Sequence, residues 1–457
     1  MNEKLVEFEN RIKTKRVTVI GIGISNLPLI KYLRKLGAEV TACDKRTADK
    51  LGENYFELEK IGVTMHLGDN YLSDIDGDII FKTPGMRYDI PELNEARTRG
   101  VEVTSEMEVF FDICPCTIIG VTGSDGKTTT TTLISKMLEK AGYKTWLGGN
   151  IGKPLLSEVG QMNPEDYAVL ELSSFQLHTM KKSPHIAVIT NISPNHLDMH
   201  KSYREYIDAK KNIMLYQNEN DILVTNYSNE VTRKIGEEAK AETRYFSSKE
   251  DAFIHLSDGA LYCGDEKILN IGDIKIPGMH NVENYMTAIG AVLGLVKKED
   301  IVSVAKEFGG VEHRIELVRE LDGVKYYNSS IDSSPNRTKN TLSVFKNKVV
   351  MISGGKDKGI PYDELGPVIL DNVRVLILIG ATAKVIEAAL NKACADRGAE
   401  CPVKVLKAKN YPEAVAMARE NAVSGESVVL SPASTSFDMF RNFEERGNLY
   451  KKLVNEL

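Results

Sequence analysis

The feature that most constrains the fold is a glycine-rich segment, GVTGSDGKTT at residues 120–129, between an apolar run and a helical stretch. The apolar run before it is β-branched and predicts a buried strand, and residues 127–141 have the pattern of a helix. Backbone N–H groups in such a turn, together with the helix N-terminus, bind phosphate anions. Lys127 can reach the β- and γ-phosphates, and the Thr128 hydroxyl can bind Mg²⁺. Although Val121 replaces the first glycine of GxxxxGK[ST], this context predicts an ATP-binding α/β unit.

Length and charge limit the class of protein. The chain has 457 residues, and at about 150 residues per domain this predicts about three domains. It carries 58 basic and 64 acidic side chains, for a net charge of −6. A nucleic-acid binder with a dense basic surface is therefore not expected, and nucleic acid is not among the expected partners.

Cysteine usage and the N-terminal segment indicate a cytoplasmic protein. The six cysteines are scattered, and the pair Cys114 and Cys116 has neither CxxC nor zinc-knuckle spacing. We therefore expect free thiols in a reducing compartment. The charged first 16 residues do not resemble a signal peptide, and no apolar run approaches the length of about 20 residues that a membrane helix needs.

The alternation of strands and helices restarts twice along the chain. Short apolar runs separated by helical stretches begin near residue 17, again near residue 117 and again after residue 314. This pattern predicts three α/β domains, which we place at 1–110, 111–311 and 312–457. The first and last are expected to be Rossmann-like, and the central one is expected to be a P-loop ATPase-like α/β domain.

A second glycine-containing loop lies near the N-terminus. Residues 17–24 predict a strand, and Gly21 and Gly23 at its end begin like a dinucleotide-binding fingerprint, with Asp44 ending the next strand. Asn26 replaces the third glycine, which weakens the NAD interpretation. A dehydrogenase also has no need of the second, phosphate-binding loop, so a site for another nucleotide at this sheet edge is the better interpretation.

Three further residues are candidates for metal binding or catalysis. Glu171 ends an apolar strand, where phosphate-loop enzymes place a carboxylate for Mg²⁺. His196 follows the next strand, so its side chain is expected at the same sheet edge. Lys210 lies on a helix, where a surface lysine is the ordinary expectation. Spacing alone leaves all three open to a structural interpretation.

Taken together, the motifs resemble those of the Mur ligase family, the ATP-dependent amino-acid ligases of peptidoglycan synthesis. The resemblance spans almost the whole chain and rests on TGSDGKT at 122–128, LELSSFQ at 170–176, NHLD at 195–198, HNVEN at 280–284 and EHR at 312–314. Two segments, SGGKDKG at 353–359 and the stretch 431–447, are most similar to the branch of the family that adds D-glutamate.

The resemblance implies an activity. ATP phosphorylates the carboxylate of UDP-N-acetylmuramoyl-L-alanine, and the amine of D-glutamate then attacks the acyl phosphate. The expected cofactors are ATP and two Mg²⁺ ions, and the expected partners are these small-molecule substrates alone. The protein would act as a cytoplasmic monomer in peptidoglycan precursor synthesis, and thereby in cell-wall biogenesis, cell shape, cell cycle and cell division.

The resemblance also implies roles for individual residues. Catalysis is assigned to Lys127, His196 and Lys210, and Lys210 is expected to be carbamylated so that its new carboxylate helps to hold a second Mg²⁺. Metal binding is assigned to Thr128, Glu171, His196 and Lys210. ATP contacts are assigned to Gly123, Ser124, Asp125, Gly126, Lys127, Thr128, Thr129, Thr130, Asn281, Asn284 and Arg314. Contacts to the UDP-sugar are assigned to Gly23, Ile24, Ser25, Asn26, Asp44, Lys45, Arg46, Gly85 and Asn150, and D-glutamate contacts to Lys358, Ser436 and Phe443.

One departure from the family pattern leaves alternatives open. Where the family often has Asn-Asp-Ser-Lys, this chain has Asn328, Ser329, Ser330 and Ile331, and Asp332 is a candidate substitute for the missing acid. A folylpolyglutamate synthase is the nearest rival enzyme, but it lacks a leading domain like residues 1–110. A non-catalytic ATP-binding regulator derived from a ligase is the rival from another class.

Overall fold

The structure is a computed structural model and describes residues 2–73, 75–194, 199–357, 359–398 and 400–457. It divides into two compact units, one of Met1–Asp273 with Met279–Lys306 and one of Ile274–Gly278 with Glu307–Leu457. The first unit contains the N-terminal and central sheets, and the second contains the C-terminal sheet. Within the described ranges, no helix is long and apolar enough to cross a membrane.

The N-terminal sheet is parallel, with the strand order β3-β2-β1-β4-β5. Its strands are β1 (Arg16–Ile20), β2 (Glu39–Asp44), β3 (Thr64–Leu67), β4 (Ile79–Phe81) and β5 (Glu102–Thr104). The helices are α1 (Glu3–Ile12), α2 (Asn26–Leu36), α3 (Ala48–Leu51), α4 (Glu53–Lys60), α5 (Pro91–Thr98) and α6 (Glu106–Ile113). The order reverses between β1 and β4, so the loops that follow these two strands flank the crevice where doubly wound sheets bind ligands.

The expected strand over 17–24 is too long. Strand β1 ends at Ile20 because Gly21 has φ +91°, which takes the backbone out of the extended conformation. Ile24, three residues beyond Gly21, is 87% exposed. The apolar run therefore extends beyond the strand, and its last residue lies in a solvent-exposed loop.

The central sheet has the order β14-β13-β12-β11-β10-β9-β6-β8-β7 and is parallel except for the pairs β12/β13 and β13/β14. Its strands are β6 (Thr117–Thr122), β7 (Thr145–Gly149), β8 (Tyr167–Glu171), β9 (Ile186–Ile189), β10 (Ile222–Asn226), β11 (Glu242–Ser247), β12 (Ile254–Ser257), β13 (Ala260–Cys263) and β14 (Glu266–Asn270). Its helices are α7 (Lys127–Lys140), α8 (Ser174–Leu177), α9 (Tyr203–Leu215), α10 (Glu230–Glu237), α11 (Met279–Val292) and α12 (Lys298–Glu307), with 3₁₀ turns at Leu156–Gln161 and Ile271–Asp273.

The C-terminal sheet has the order β15-β16-β20-β17-β18-β19, with β15 antiparallel to its neighbour. Its strands are β15 (Glu316–Leu321), β16 (Val324–Asn328), β17 (Val349–Ser353), β18 (Val373–Leu378), β19 (Lys404–Lys407) and β20 (Ser427–Leu430). Its helices are α13 (Pro335–Leu342), α14 (Leu365–Asn372), α15 (Ala383–Asp396), α16 (Tyr411–Asn421) and α17 (Phe443–Asn455).

Burial explains why the central strands are apolar without alternation. Along β17, Val349 and Met351 pack into one cluster with Leu365 of α14, whereas Val350 and Ile352 pack into another on the opposite face. A strand covered on both faces needs apolar side chains at every position. The three α/β sheets confirm the fold class predicted from the sequence, while the domain limits at residues 110 and 311 stay predictions.

Candidate active site

The glycine-rich loop after β6 packs closely against the segment that follows β9. Gly123 has φ +147°, and a Cβ atom there would lie 1.9 Å from Thr190 Oγ1 and 3.0 Å from the carbonyl oxygen of Asn191. The Ser124 N–H donates to the same carbonyl at 2.8 Å, and Thr190 Oγ1 donates to the carbonyl of Asp125 at 2.6 Å. The loop is thus fixed in a conformation that only glycine permits at position 123.

Lys127 occupies the first position of α7 and turns back over the loop. Its Nζ donates to the carbonyl oxygens of Gly123 at 3.0 Å and Ser124 at 2.9 Å. Gly126, in the left-handed conformation with φ +78°, is the N-cap of this helix. The ammonium group of Lys127 therefore lies over the loop that leads into the N-terminus of α7, the end of a helix that favours anions.

Thr128 and Glu171 bring two oxygen ligands together. Thr128 Oγ1 donates to Glu171 Oε2 at 2.7 Å, and Asn150 Nδ2 donates to Glu171 Oε1 at 2.8 Å. A hydroxyl and a carboxylate are the donor types that Mg²⁺ prefers, so these residues fit that ion. Asn150, which the resemblance assigns to the UDP-sugar, contacts the carboxylate of Glu171.

Lys210 is buried beside the phosphate-binding loop, which corrects the expectation of a surface lysine from spacing alone. Only 2% of the residue is exposed, and its Nζ donates to Gly123 O at 2.8 Å and Thr122 Oγ1 at 3.2 Å. Burial, reinforced by the positive charge of Lys127, holds the pKa of Lys210 well below its ordinary value. Burial and the nearby charge of Lys127 therefore favour the neutral amine over the protonated one.

Asparagines of α11 lie on the other side of the loop. Asn284 Oδ1 accepts a hydrogen bond from Thr130 Oγ1 at 3.3 Å, and a Cβ atom at Gly126 would lie 2.3 Å from this oxygen. Asn284 Nδ2 in turn donates to Asn281 Oδ1 at 3.1 Å. The structure therefore brings Asn284, which is distant in sequence, to the glycine-rich loop, with Asn281 bonded to it.

The N-terminal loop is organised by Asp44. Its carboxylate accepts hydrogen bonds from the Ile22 N–H at 2.7 Å and from Arg46 Nη2 at 2.7 Å. Although burial acts in the opposite direction, the hydrogen bonds from Arg46 and Ile22 hold the pKa of Asp44 below its ordinary value. Asn26 Nδ2 donates to the carbonyl of Ile20 at 3.0 Å. Asn26 thus ties the start of α2 to the end of β1 at the position of the fingerprint's third glycine.

The remaining residues of the N-terminal set lie at or near the loop surface. Gly23 and Gly85 have open space where a Cβ atom would stand, and the Thr83 side chain contacts Gly21. Ser25 begins the turn into α2, and Lys45 is exposed. The two loops at the sheet reversal therefore leave room for a ligand.

The second unit contains three of the proposed ligand contacts. Ser436 is buried, Phe443 begins α17, and the N–H of Arg314 donates to Val311 O at 2.9 Å. Lys358 and His196 lie outside the described residues.

Asp332, the candidate substitute for the acid missing at residues 328–331, lies inside the second unit. Asp332 is 4% exposed, and Ser431 Oγ donates to its Oδ2 at 2.7 Å. Burial raises the pKa of Asp332. Ser329 Oγ accepts from the Ile315 N–H at 3.3 Å. Asp332 is thus held in a buried hydrogen-bond network rather than on the surface.

Sequence reasoning missed Tyr206. Its hydroxyl forms a 3.0 Å hydrogen bond with Ser124 Oγ, and its ring centroid lies 4.8 Å from Lys210 Nζ. The sequence signal was the four-residue spacing between Tyr206 and Lys210, because residues four apart on a helix share a face. Once Lys210 was a candidate site residue, Tyr206 could have been selected by this spacing.

We expect Gly123→Ala to destabilise the first unit by at least about 3 kcal/mol, since it adds backbone strain and a clash with Thr190 and Asn191. Gly142→Ala is the matched control, because Gly142 also has positive φ (+92°) but open space around its Cβ position. The control should lose only about 1 kcal/mol. Denaturant unfolding of both variants measures the difference, and equal losses would contradict the close packing.

Profiles of one protein family match most of the chain. The profile described as Mur ligase MurD-like, N-terminal domain, matches residues 15–105. The Mur ligase middle domain matches residues 121–292, and the Mur ligase glutamate ligase domain matches residues 313–434.

Curated proteins resemble the chain over its full length. It is 54% identical to a UDP-N-acetylmuramoylalanine–D-glutamate ligase of Ruminiclostridium cellulolyticum and 53% identical to that of Acetivibrio thermocellus, with 100% of each chain covered. Among solved structures, MurF of Acinetobacter baumannii is similar with a TM-score of 0.59 and 15% identity, covering 100% of this chain and 98% of its own. MurC of Thermotoga maritima is similar with a TM-score of 0.58 and 19% identity, covering 97% and 99%. These structures support the three-domain fold.

Proposed function

Because the chain belongs to the Mur ligase family, we propose that it is the ATP-dependent ligase that adds D-glutamate to UDP-N-acetylmuramoyl-L-alanine in peptidoglycan precursor synthesis. The substrate assignment rests on 54% identity over the full length to a UDP-N-acetylmuramoylalanine–D-glutamate ligase. The match of residues 15–105 to the MurD-like N-terminal domain favours a UDP-sugar substrate over a folate, since the folylpolyglutamate alternative has no equivalent domain.

The reaction needs an activated acyl group, because a carboxylate is a poor electrophile. The L-alanyl carboxylate attacks the γ-phosphorus of ATP, ADP leaves, and an acyl phosphate forms. The D-glutamate amine attacks the acyl carbon to give a tetrahedral intermediate, which expels phosphate and, after losing a proton, leaves the amide.

The phosphate-binding loop supplies electrostatic stabilisation for the first step. Lys127 and the N–H groups of the first turn of α7 would bind the phosphates, since Lys127 Nζ lies over Gly123 and Ser124 and α7 begins at Lys127. Mg²⁺, held by Thr128 and Glu171, would neutralise charge on the transferring phosphoryl group. The family resemblance assigns contacts to the nucleotide to Asn281, Asn284 and Arg314.

A second Mg²⁺ would be held by His196 and by a carbamate on Lys210. The burial of the Lys210 amine, which lowers its pKa, supports this assignment, since only an unprotonated amine combines with CO₂. Loss of one proton from nitrogen converts the product into a carbamate, a carboxylate-like ligand for Mg²⁺.

The two loops at the reversal of the N-terminal sheet would hold the UDP-sugar. Ile24 offers an exposed apolar side chain, and Gly23 and Gly85 leave space for the ligand. D-Glutamate would bind to Lys358, Ser436 and Phe443. The enzyme would work in the cytoplasm as a monomer.

Phosphate release tests the function directly. The protein is incubated with ATP, Mg²⁺ and UDP-N-acetylmuramoyl-L-alanine, and with D-glutamate, L-glutamate or no amino acid. We expect release that depends on D-glutamate and a product heavier by one glutamyl unit. ATP binding without release under any of these conditions would contradict the proposal and favour the regulator.

A further inference from the structure

Arg87, two residues after Gly85, joins the N-terminal domain to helix α9. Its guanidinium donates to both oxygens of Asp89, at 2.8 and 3.0 Å. It also donates to both oxygens of Glu205, at 2.9 and 3.3 Å, and to the carbonyl of Met199 at 2.8 Å. These bonds use every N–H donor of an arginine side chain.

The cluster of Arg87, Asp89 and Glu205 has further hydrogen bonds and is partly shielded from solvent. Lys201 Nζ donates to Asp89 Oδ2 at 2.5 Å, and the Lys201 N–H donates to Glu205 Oε2 at 2.5 Å. The side chains of Arg87, Asp89 and Glu205 are 23%, 22% and 18% exposed. The hydrogen bond from Arg87 lowers the pKa of Glu205 to about 2, so this carboxylate stays charged at neutral pH. Partly buried bidentate ion pairs hold the relative orientation of their side chains better than exposed ion pairs do.

Helix α9 connects this cluster to the glycine-rich loop, because other residues of the same helix bond the loop. Glu205 lies in its first turn, and the next residue, Tyr206, bonds Ser124 Oγ at 3.0 Å. One turn further, Lys210 bonds the carbonyl of Gly123 at 2.8 Å. A rigid helix held at its N-terminus by Glu205 therefore sets where the Lys210 amine lies.

We propose that Arg87 is a positioning residue, which holds α9 and thereby Lys210 in register with the phosphate-binding loop. The inference rests on the proposed function, since it concerns the lysine whose carbamate would serve that reaction. Lysine at position 87 would keep the charge but not the bidentate geometry.

The test compares Arg87→Ala, Arg87→Lys, Glu205→Gln and the Arg87→Ala/Glu205→Gln double variant with the unaltered protein. Steady-state phosphate release gives kcat and KM, and ¹³C NMR after addition of ¹³C-bicarbonate reports the lysine carbamate. We expect Arg87→Ala to lower kcat at least about 10-fold and to weaken the carbamate signal, because small misplacements of a catalytic group are costly. Arg87→Lys should restore little of either, and the double variant should be no worse than Arg87→Ala.

Arg11→Ala is the matched control, because Arg11 forms an exposed pair with Glu102 within the N-terminal domain. It should leave kcat and the carbamate signal unchanged. A kcat within about two-fold of the unaltered protein for Arg87→Ala and Glu205→Gln, or additive losses in the double variant, would overturn the inference. Inactivity of the unaltered protein would instead count against the proposed function.

A second observation, independent of catalysis, concerns the joint between the first two domains. Cys114 and Cys116 lie between the end of α6 at Ile113 and the start of β6 at Thr117, and their sulfur atoms are 3.3 Å apart. A disulfide bond needs about 2.05 Å, so the sulfurs must approach by only about 1.2 Å. Cys114 is partly exposed, and a hydrogen bond from Cys116 lowers its pKa. Burial raises the pKa of Cys43 to about 12 and of Cys263 to about 11.

We infer that Cys114 and Cys116 are a modification site, where exchange with a low-molecular-weight disulfide forms a reversible intrachain disulfide. The Cys114 thiolate attacks one sulfur of the small disulfide, and one small thiolate leaves. Cys116 then gives its proton to solvent and attacks the Cys114 sulfur, and the second small thiolate leaves. The two cysteines lose two electrons, which reduce the small disulfide to two thiols.

Glutathione disulfide is the probe, followed by alkylation, digestion and mass measurement. We expect the peptide with residues 114–116 to be lighter by two hydrogens than its reduced, unalkylated form, and dithiothreitol to reverse the change. Cys116→Ser should trap a glutathione adduct on Cys114, whereas the control Cys263→Ser should behave like the unaltered protein. Alkylation of both cysteines after exposure to the probe, or an adduct on Cys116 alone, would overturn the inference.

Discussion

Lys127→Ala is expected to reduce D-glutamate-dependent phosphate release by about 10³-fold, a loss of about 4 kcal/mol of transition-state stabilisation. The Lys127 ammonium lies over the phosphate-binding loop, within 3.0 Å of Gly123 O and 2.9 Å of Ser124 O. Phosphoryl transfer depends on positioning and electrostatics, so removing this positive charge is expected to weaken stabilisation of the transferring phosphoryl group.

The control for this variant is Lys136→Ala on the same helix. Lys136 forms an exposed pair with Glu139, so its loss should change neither turnover nor folding. Circular dichroism and thermal unfolding should show Lys127→Ala folded like the unaltered protein. Near-normal turnover in Lys127→Ala would refute the assignment of ATP to this loop.

Lys210→Ala should be nearly inactive, with kcat reduced about 10²-fold or more, and partly rescued by a short carboxylic acid such as acetate. The effect follows from its position, since Nζ lies 2.8 Å from Gly123 O in a site with 2% exposure. Removing the side chain opens a small cavity there, which a carboxylate can enter to replace the carbamate.

Turnover against acetate concentration, with chloride as the salt control, measures the rescue. Lys211→Ala is the matched variant, because the next lysine of α9 pairs with Glu238 rather than with the loop. It should keep near-normal turnover. Absence of rescue at any acetate concentration would contradict carbamylation of Lys210, though not the ligase activity.

Lys127 and Lys210 differ in how much of their environment can be predicted from neighbouring residues in the sequence. Lys127 is adjacent to the glycines whose strand-loop-helix context defines its role, so its chemistry is encoded in a few consecutive residues. Lys210 lies more than 80 residues further along, on a helix where spacing predicts a surface lysine. The role proposed for Lys210 came only from the family resemblance, and its burial against Gly123 and Thr122 came from the packing of α9 on β6.

The same division holds for the rest of the molecule. The sequence alone determined the three α/β domains, the glycine-rich loop between β6 and α7 and the ends of strands such as Glu39–Asp44, because hydrophobic period, glycine position and helix stops act over a few residues. Only the tertiary structure decided that β1 ends at Ile20 and that Asp332 is buried. The same holds for the hydrogen bonds of Tyr206 with Ser124 and of Arg87 with Glu205. Those outcomes depend on which distant segments meet, and that is set by the summed burial and hydrogen bonding of the whole chain rather than by any local pattern.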